Sequence, residues 1–272
     1  MKKKRAVCVC AAVVALTAAY LAFENGALEL TEYDYVSPKV TSAFDGFKIC
    51  HLSDIHVKSR KRSYSSLIKK VSEQEPDIIV ISGDLVDSRD SDVQTALSLI
   101  ETLAEIAPVY YVTGNHEERL PADIYTDVIG GLSYLGVHMM NGRAETIERG
   151  GESINIAGFF DRGHFFVEEA AELFDDGALN LLINHRPQFA EDFAKSGADL
   201  TFTGHAHGGQ ARLPFIGGMI APDQYFFPEY YEGIHYFGGN ATVISRGIGN
   251  SLIPCRVNNR PEVVIVTLRK PE

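Results

Sequence analysis

Cysteine is scarce in this 272-residue chain, and its four residues have no useful spacing. Cys8 and Cys10 lie in an apolar N-terminal stretch, Cys50 and Cys255 are isolated, and no Cys-x-x-Cys occurs. That excludes a disulfide framework and leaves small, buried apolar residues as the simplest reading. Whether Cys50 and Cys255 pair stays open at this level. Positive charge is short as well: 25 Lys and Arg face 36 Asp and Glu, for a formal net charge of −11. Duplex nucleic acid is therefore not the expected partner, because holding a phosphate backbone needs a basic surface. Small phosphate esters stay in play, since a bound metal reverses the local field. Internal repeats are absent, as is low-complexity sequence outside the N-terminus. What is present, 45% hydrophobic and 22% charged residues, is a globular composition. The length suits one large domain or two small ones with a substantial core.

The one long apolar run follows Lys2, Lys3, Lys4 and Arg5 and covers residues 6–23 without a charge. As a helix it spans about 27 Å, just enough for the hydrocarbon core of a bilayer. Leu16-Thr17-Ala18 and Tyr20-Leu21-Ala22 both place a large residue where a signal-peptide cleavage site wants a small one. A retained, single-pass anchor is thus favoured over a cleaved signal. The basic flank, residues 1–5, is expected to stay cytoplasmic and the rest of the chain to lie outside the cell membrane. Residues 24–45 read as a stalk and lead-in, and 46–272 as the main domain.

Beyond the lead-in, strand and helix patterns alternate. Residues 47–52 read as a strand, 64–74 as a helix, and 77–81, a β-branched run, as a fully buried strand. A helix over 92–107 follows, with Asp92 at its start and Pro108 past its end. Then come a strand at 109–112, a helix at 121–135, and a hairpin with strands near 145–148 and 153–159. Residues 167–174 and 188–195 read as helices, and 180–183, 199–203, 241–245 and 263–268 as strands. This alternation predicts an α/β domain with buried sheets.

Five polar clusters fall just after predicted strands. They are Asp54-Ile55-His56; Gly83-Asp84 with Asp87; Gly114-Asn115-His116-Glu117; His185; and Gly204-His205-Ala206-His207-Gly208-Gly209-Gln210. Ligand sites of open α/β sheets lie outside the carboxyl ends of the strands. In extended backbone, residues i and i+2 point to one side, so Asp54 and His56 can share an ion. The glycines of the last cluster let two imidazoles approach one point. Carboxylate, imidazole and amide oxygen suit Mn²⁺, Fe or Zn²⁺, and no thiolate lies in any cluster. There are donors enough for two ions, which about 3.5–4 Å apart would stabilise the attacking and leaving oxygens of an in-line phosphoryl displacement.

In this order the five clusters resemble the motifs of the calcineurin-like metallophosphoesterases, over nearly the whole chain from about Lys48 onward. Gly208-Gly209-Gln210-x-Arg212-Leu213-Pro214-Phe215, Ser245-Arg246-Gly247-Ile248-Gly249 and Asn259-Arg260-Pro261-Glu262 look like its bacterial membrane-associated, YaeI/YkuE-like phosphodiesterase branch. The resemblance implies a four-layer αββα sandwich, here preceded by the N-terminal transmembrane helix. It also implies two divalent metal ions, Mn foremost, with Fe or Zn as alternatives. Asp54, His56 and His207 would hold one ion and Asn115, His185 and His205 the other, with Asp84 bridging. His116 would stay off the metals and protonate the leaving oxygen or stabilise the phosphate, oriented by Glu117, where the family often carries Asp.

Asp87 reads equally as a partner of these residues or as a loop cap. Gln210, Arg212 and Arg246 would shape the pocket or anchor loops through carboxylates. Asp161 and His164 read first as a polar loop, His51, His138 and His235 as structural residues, and the aromatics of 225–231 first as core packing, with a lip for an apolar or membrane-bound substrate as the alternative. The function expected is a metal-dependent phosphoesterase, foremost a phosphodiesterase. The alternatives are a lipid-linked pyrophosphate hydrolase of the UDP-diacylglucosamine type using the same site, or a non-catalytic scaffold. The complete donor set argues against the scaffold.

Overall fold

The computed structural model describes residues 2–59, 63–250, 253 and 255–271. In the basic flank, Met1 and the side chains of residues 2–4 lie outside the described residues.

Helix α1 (Lys2–Gly26) contains an apolar stretch, Val7–Gly26, long enough to cross a membrane. Val7, Val14 and Leu16 are about two-thirds exposed, so the protein body does not cover them. The segment after α1 is not a loose stalk. Its residues form β1 (Glu29–Val36), which pairs in parallel, residue for residue, with β16 (Glu262–Arg269) at the far end of the chain.

Two six-stranded sheets form the body. The first runs β1, β16, β2 (Lys48–Leu52), β3 (Ile78–Ile81), β4 (Val109–Tyr111), β5 (His138–Met139). The second runs β14 (Gly233–Phe237), β15 (Asn240–Ile244), β9 (Leu200–Thr203), β8 (Asn180–Ile183), β7 (Glu152–Gly158), β6 (Arg143–Arg149). Strands β2 to β5 are mutually parallel, as are β7, β8, β9 and β15. Side chains alternate between faces along each strand. Ile78 and Val80 therefore enter the core between the sheets, where they meet Ile156, Leu181, Ile183 and Phe202. Ile79 and Ile81 point the other way, onto α2 (Ser65–Ser72), α3 (Val93–Ala104) and α4 (Ala122–Tyr134) through Leu67, Leu99 and Val128. On the second sheet Leu182 packs under α5 (Val167–Ala171) and α6 (Ala190–Lys195). The result is the expected four-layer αββα order.

Local signals set the helix ends. The Asp92 side chain accepts from Thr95 N at 3.0 Å and starts α3. The helices expected at 167–174 and 188–195 are shorter, the second because a 3₁₀ turn, Pro187–Phe189, precedes α6. Two small hairpins follow β9: β10 (Arg212–Leu213) with β11 (Gly217–Gly218), and β12 (Ile220–Ala221) with β13 (Tyr225–Phe226). All four cysteines are free, so Cys50 and Cys255 do not pair.

Candidate metal centre

Asp54 and His56 follow β2, Asp84 follows β3, Asn115 and His116 follow β4, His185 follows β8, and His205 and His207 follow β9. Parallel pairing turns these strand ends to one rim. Three groups form there, each with its possible ligand atoms within 4.8 Å of one another: the clusters Asp54–His56–His207 and Asp84–His185–His205, and a third, His56–Asp87–His116, that shares His56 with the first. In the first, His207 Nε2 lies 3.3 Å from His56 Nε2 and 3.5 Å from Asp54 Oδ1. In the second, His185 Nε2 lies 3.0 Å from His205 Nδ1 and 3.2 Å from Asn115 Oδ1. Asp84 Oδ2 faces both, 3.7 Å from His56 Nε2 and 3.4 Å from His185 Nε2.

This donor set fits two cations. Asp54 Oδ1 is buried and has no hydrogen-bond donor, which is costly for a carboxylate unless a cation meets it. His185 Nδ1 lies 2.8 Å from the carbonyl of Ser82 and so carries the ring proton, leaving the Nε2 lone pair turned toward the cluster. His205 Nε2 is likewise committed to Asp223 Oδ2 at 2.9 Å, which leaves Nδ1 as the donor. The Asn115 side-chain amide closes the cluster beside these two nitrogens, and turned with its oxygen inward it would complete a set of three acceptors that suits a cation. Burial alone would lower the pKa of His185, but without a cation the Asp84 carboxylate overrides it and pushes the ring up to about 10, so a proton takes the Nε2 position that a cation would otherwise fill. A divalent cation would meet the same negative field.

Backbone conformation marks the residues too. Asp54, His56, Asp84, His205 and His207 all have positive φ, between 48° and 64°, a region uncommon for residues with a side chain. Gly204 is needed for close approach: a Cβ there would lie 1.8 Å from Ser53 Oγ and 2.3 Å from Asp54 Oδ2.

His116 lies beside the first cluster, its ring edge-on to His56 with centroids 4.5 Å apart. Its Nδ1 accepts from Ser88 N at 3.0 Å, so the neutral ring carries its proton on Nε2. Burial lowers its pKa, against the pull of Asp84 and Asp87. Glu117 does not orient it, which corrects the expectation above. The 3₁₀ turn Glu117–Arg119 directs the Glu117 carboxylate inward, where it accepts from Asp84 N at 2.9 Å, Val86 N at 3.0 Å and Gly114 N at 2.8 Å. Burial and the neighbouring Asp84 charge push Glu117 up to about 8, against those N–H groups.

Asp87 lies 4.0 Å from His56 Nδ1 and 3.8 Å from His116 Nδ1. Burial would raise its pKa, but Arg89 and Lys58 (Nζ at 3.1 Å) outweigh that and hold it well below the carboxylate range. Two cationic side chains already answer its charge, so it serves as a loop partner.

Gln210, Arg212 and Arg246 do not line the cavity beside the clusters. Gln210 donates to the carbonyls of Ile253 and Cys255, Arg212 bonds to Asn258 O and Glu232, and buried Arg246 pairs with Glu262 at 2.8 Å and Glu29 at 3.1 Å. All three anchor loops. Asp161 holds Arg186 at 2.7 Å, and His51 bonds to Ser82 Oγ at 2.9 Å inside the core. His138 is paired with Glu145 at 2.6 Å, and His235 with the Glu232 carbonyl at 3.0 Å. The cavity, about 360 Å³, is lined by Asp84, His116, His205 and His207 together with Ser88, Arg89, Arg119 and Asp223. Sequence reading missed these last four. Asp223 lies between the two strands of the β12–β13 hairpin, outside every motif, and only the folded hairpin brings it to His205.

The chain is similar to known proteins over most of its length. A metallophosphoesterase of Bacillus subtilis, YkuE, is 30% identical over 89% of this chain and 86% of its own length. Phosphodiesterase YaeI of Escherichia coli is 31% identical over 82% of each chain. The NAD nucleotidase structure from Haemophilus influenzae shares the fold at 12% identity, with a TM-score of 0.52 over 74% of this chain and 50% of that one. Residues 47–209 match the calcineurin-like phosphoesterase family, and more than half of the chain is thereby covered. Motif order, four-layer fold and paired clusters agree with that match: the chain belongs to the calcineurin-like phosphoesterases, a family of metal-dependent hydrolases.

Proposed function

We propose that this protein is a membrane-anchored, two-metal phosphodiesterase. The observation that carries the proposal is Asp84, whose Oδ2 faces a histidine of each cluster at 3.7 and 3.4 Å. Asp54, His56 and His207 would hold one divalent cation, and Asn115, His185 and His205 the other, with the Asp84 carboxylate facing both groups. When bound, the cations supply a nucleophile from water at neutral pH and neutralise charge developing on the phosphoryl group. The remaining chemistry belongs to the chain. His116 keeps its proton on Nε2 because Ser88 N occupies Nδ1, and that N–H donates a hydrogen bond to the charge developing on the phosphoryl and departing oxygens. Arg89 and Arg119 line the cavity and offer positive charge to the anionic ester. The similarity to phosphodiesterase YaeI supports a diester over a monoester. Helix α1 anchors the protein with its basic flank in the cytoplasm and the site outside. Mn²⁺ is the metal we favour, because oxygen and imidazole donors without thiolate suit it.

The test is an activity screen of chelated, full-length protein reloaded with Mn²⁺, Fe²⁺ or Zn²⁺ against phosphodiesters, monoesters and lipid-linked pyrophosphates. Activity should vanish on chelation and return with metal, most strongly on diesters. Undiminished turnover by metal-free protein would overturn the two-metal reading, and a monoester preference the substrate class.

A further inference from the structure

Four successive residues without a charge, Leu213, Pro214, Phe215 and Ile216, are exposed at the tip of the β10–β11 hairpin. Phe215 is exposed completely. A solvent-facing turn has no need of that composition, and an isolated apolar patch can serve many ends. Its attachment narrows the choice. Asn258 Nδ2 donates to Arg212 O at 3.0 Å, and Arg212 Nε donates to Asn258 O at 2.6 Å, so Asn258 fixes the base of the hairpin. The same Asn258 bonds to α1: its N donates to Tyr20 Oη at 3.2 Å, and Tyr20 Oη donates to Asn258 Oδ1 at 2.5 Å.

That contact sets the depth of the hairpin. Tyr20 precedes the end of the apolar stretch at Gly26 by six residues, roughly 9 Å along a helix. This is where a bilayer passes from acyl chain to headgroup, the level at which tyrosine is enriched. The body cannot swing away on a tether. Asn25 grips the backbone of Arg256 at both ends, its Oδ1 accepting from N at 2.8 Å and its Nδ2 donating to O at 3.1 Å. Glu24 Oε2 accepts from Asn259 N at 2.8 Å. The domain therefore sits directly on the end of α1, and the hairpin lies beside that end.

We infer that the 213–216 tip inserts its apolar side chains into the outer leaflet of the phospholipid bilayer that α1 crosses, as a second membrane contact. This rests on reading α1 as a retained membrane anchor. Leu213, Phe215 and Ile216 occupy the acyl–headgroup boundary, and the contact fixes the tilt of the α1-docked domain against the bilayer plane.

The chain contains no tryptophan, so a single introduced one is the only indole emitter. Full-length Phe215→Trp in phosphatidylcholine–phosphatidylglycerol vesicles should show blue-shifted emission and little quenching by acrylamide. Lipids brominated near the headgroup end of the acyl chain should quench it at least twofold more than lipids brominated near the bilayer centre. Leu16→Trp should show the reverse depth preference, and Tyr134→Trp, on α4 and 91% exposed, should remain in water. A water-exposed Phe215→Trp emitter with a lipid-quenched Leu16→Trp emitter overturns the hairpin proposal and keeps the anchor. Lack of lipid quenching at both positions overturns both. An emitter shielded from acrylamide yet unquenched by brominated lipid means that protein, such as a second copy of this chain, covers the tip, and this too overturns the proposal. Ile216→Trp supplies the same readings should Phe215→Trp fail to fold.

Discussion

Replacing Asp223 by alanine should weaken the second cation without touching any residue that holds it. Asp223 Oδ2 takes the Nε2 proton of His205 at 2.9 Å, and its carboxyl is held down to about 2 by that hydrogen bond and the nearby Arg186 charge. It is therefore a carboxylate at neutral pH, and it locks His205 in the tautomer whose Nδ1 lone pair faces His185. Partners of this kind are typically worth about 10- to 100-fold in metal affinity. The Asp223 side chain is 47% exposed, so water replaces part of what it supplies. The expected loss is therefore at the lower end, about tenfold, or about 1.4 kcal/mol. Arg186 loses one partner but keeps Asp161 at 2.7 Å, which limits the collapse around it. The assay is turnover against chelator-buffered free Mn²⁺. In Asp223→Ala the half-activating concentration should rise about tenfold, while kcat at saturating metal stays within about threefold. Asp223→Asn, which keeps an acceptor oxygen, should fall in between. Asp223 also lines the cavity, so the reasoning has a definite way to fail. An unchanged metal requirement with a reduced kcat would mean that Asp223 acts on the substrate.

Asp84→Ala should abolish turnover and lower the bound metal below two per chain, measured by elemental analysis after gel filtration. His116→Ala should cut kcat by about 10²- to 10³-fold, as removal of one hydrogen-bond donor to the developing charge does, with the metal content unchanged. Gly204→Ala sets a Cβ 1.8 Å from Ser53 Oγ. It should destabilise the protein by about 1–3 kcal/mol, visible by calorimetry as a lower Tm. Asn25→Ala removes two hydrogen bonds to the backbone of fully buried Arg256, at 2.8 and 3.1 Å. At about 1 kcal/mol each, their loss should lower Tm by roughly 4–8 °C; an unchanged Tm would show that α1 docks too loosely to orient the domain.

The interior strands were legible because burial on both faces writes itself as an unbroken apolar run, as in Ile78–Ile81 and residues 181–183. Edge strands leave no such mark. β1 carries Glu29, Glu32 and Asp34 on a half-exposed ribbon, and its partner β16 lies more than 200 residues away, so no local pattern announces the pairing. Strand β5 is two residues long. The same division runs through the site. Residues that face the cations sit in short motifs at strand ends and could be read there. What the chain does behind them could not. The side chain of Glu117 was visible, but its direction is set by a 3₁₀ turn that carries it under the β3 loop and away from His116.

The positive φ angles explain why those motifs are readable at all. Asp54, His56, Asp84, His205 and His207 hold a left-handed conformation that glycine adopts at no cost and other residues resist. At roughly 1 kcal/mol each, and less for aspartate, the five together approach the lower end of a domain's net stability, about 5 kcal/mol. Each is held by a specific hydrogen bond. Asp54 N donates to Gly83 O at 3.1 Å, His56 N to Asp84 O at 3.0 Å, and Asp84 N to Glu117 Oε2 at 2.9 Å. His205 N donates to Asp54 Oδ2 at 2.8 Å, and His207 O accepts from Asn259 Nδ2 at 2.7 Å. Four of the five bonds run between the cation-facing loops themselves. The fifth runs to Asn259, whose own N–H is fixed by Glu24 at the end of α1. Glycine at these five positions would relax the backbone and remove five of the seven donor side chains. Aspartate and histidine persist there because only their side chains can face the ions, and the loops hold one another in the strained shape this requires.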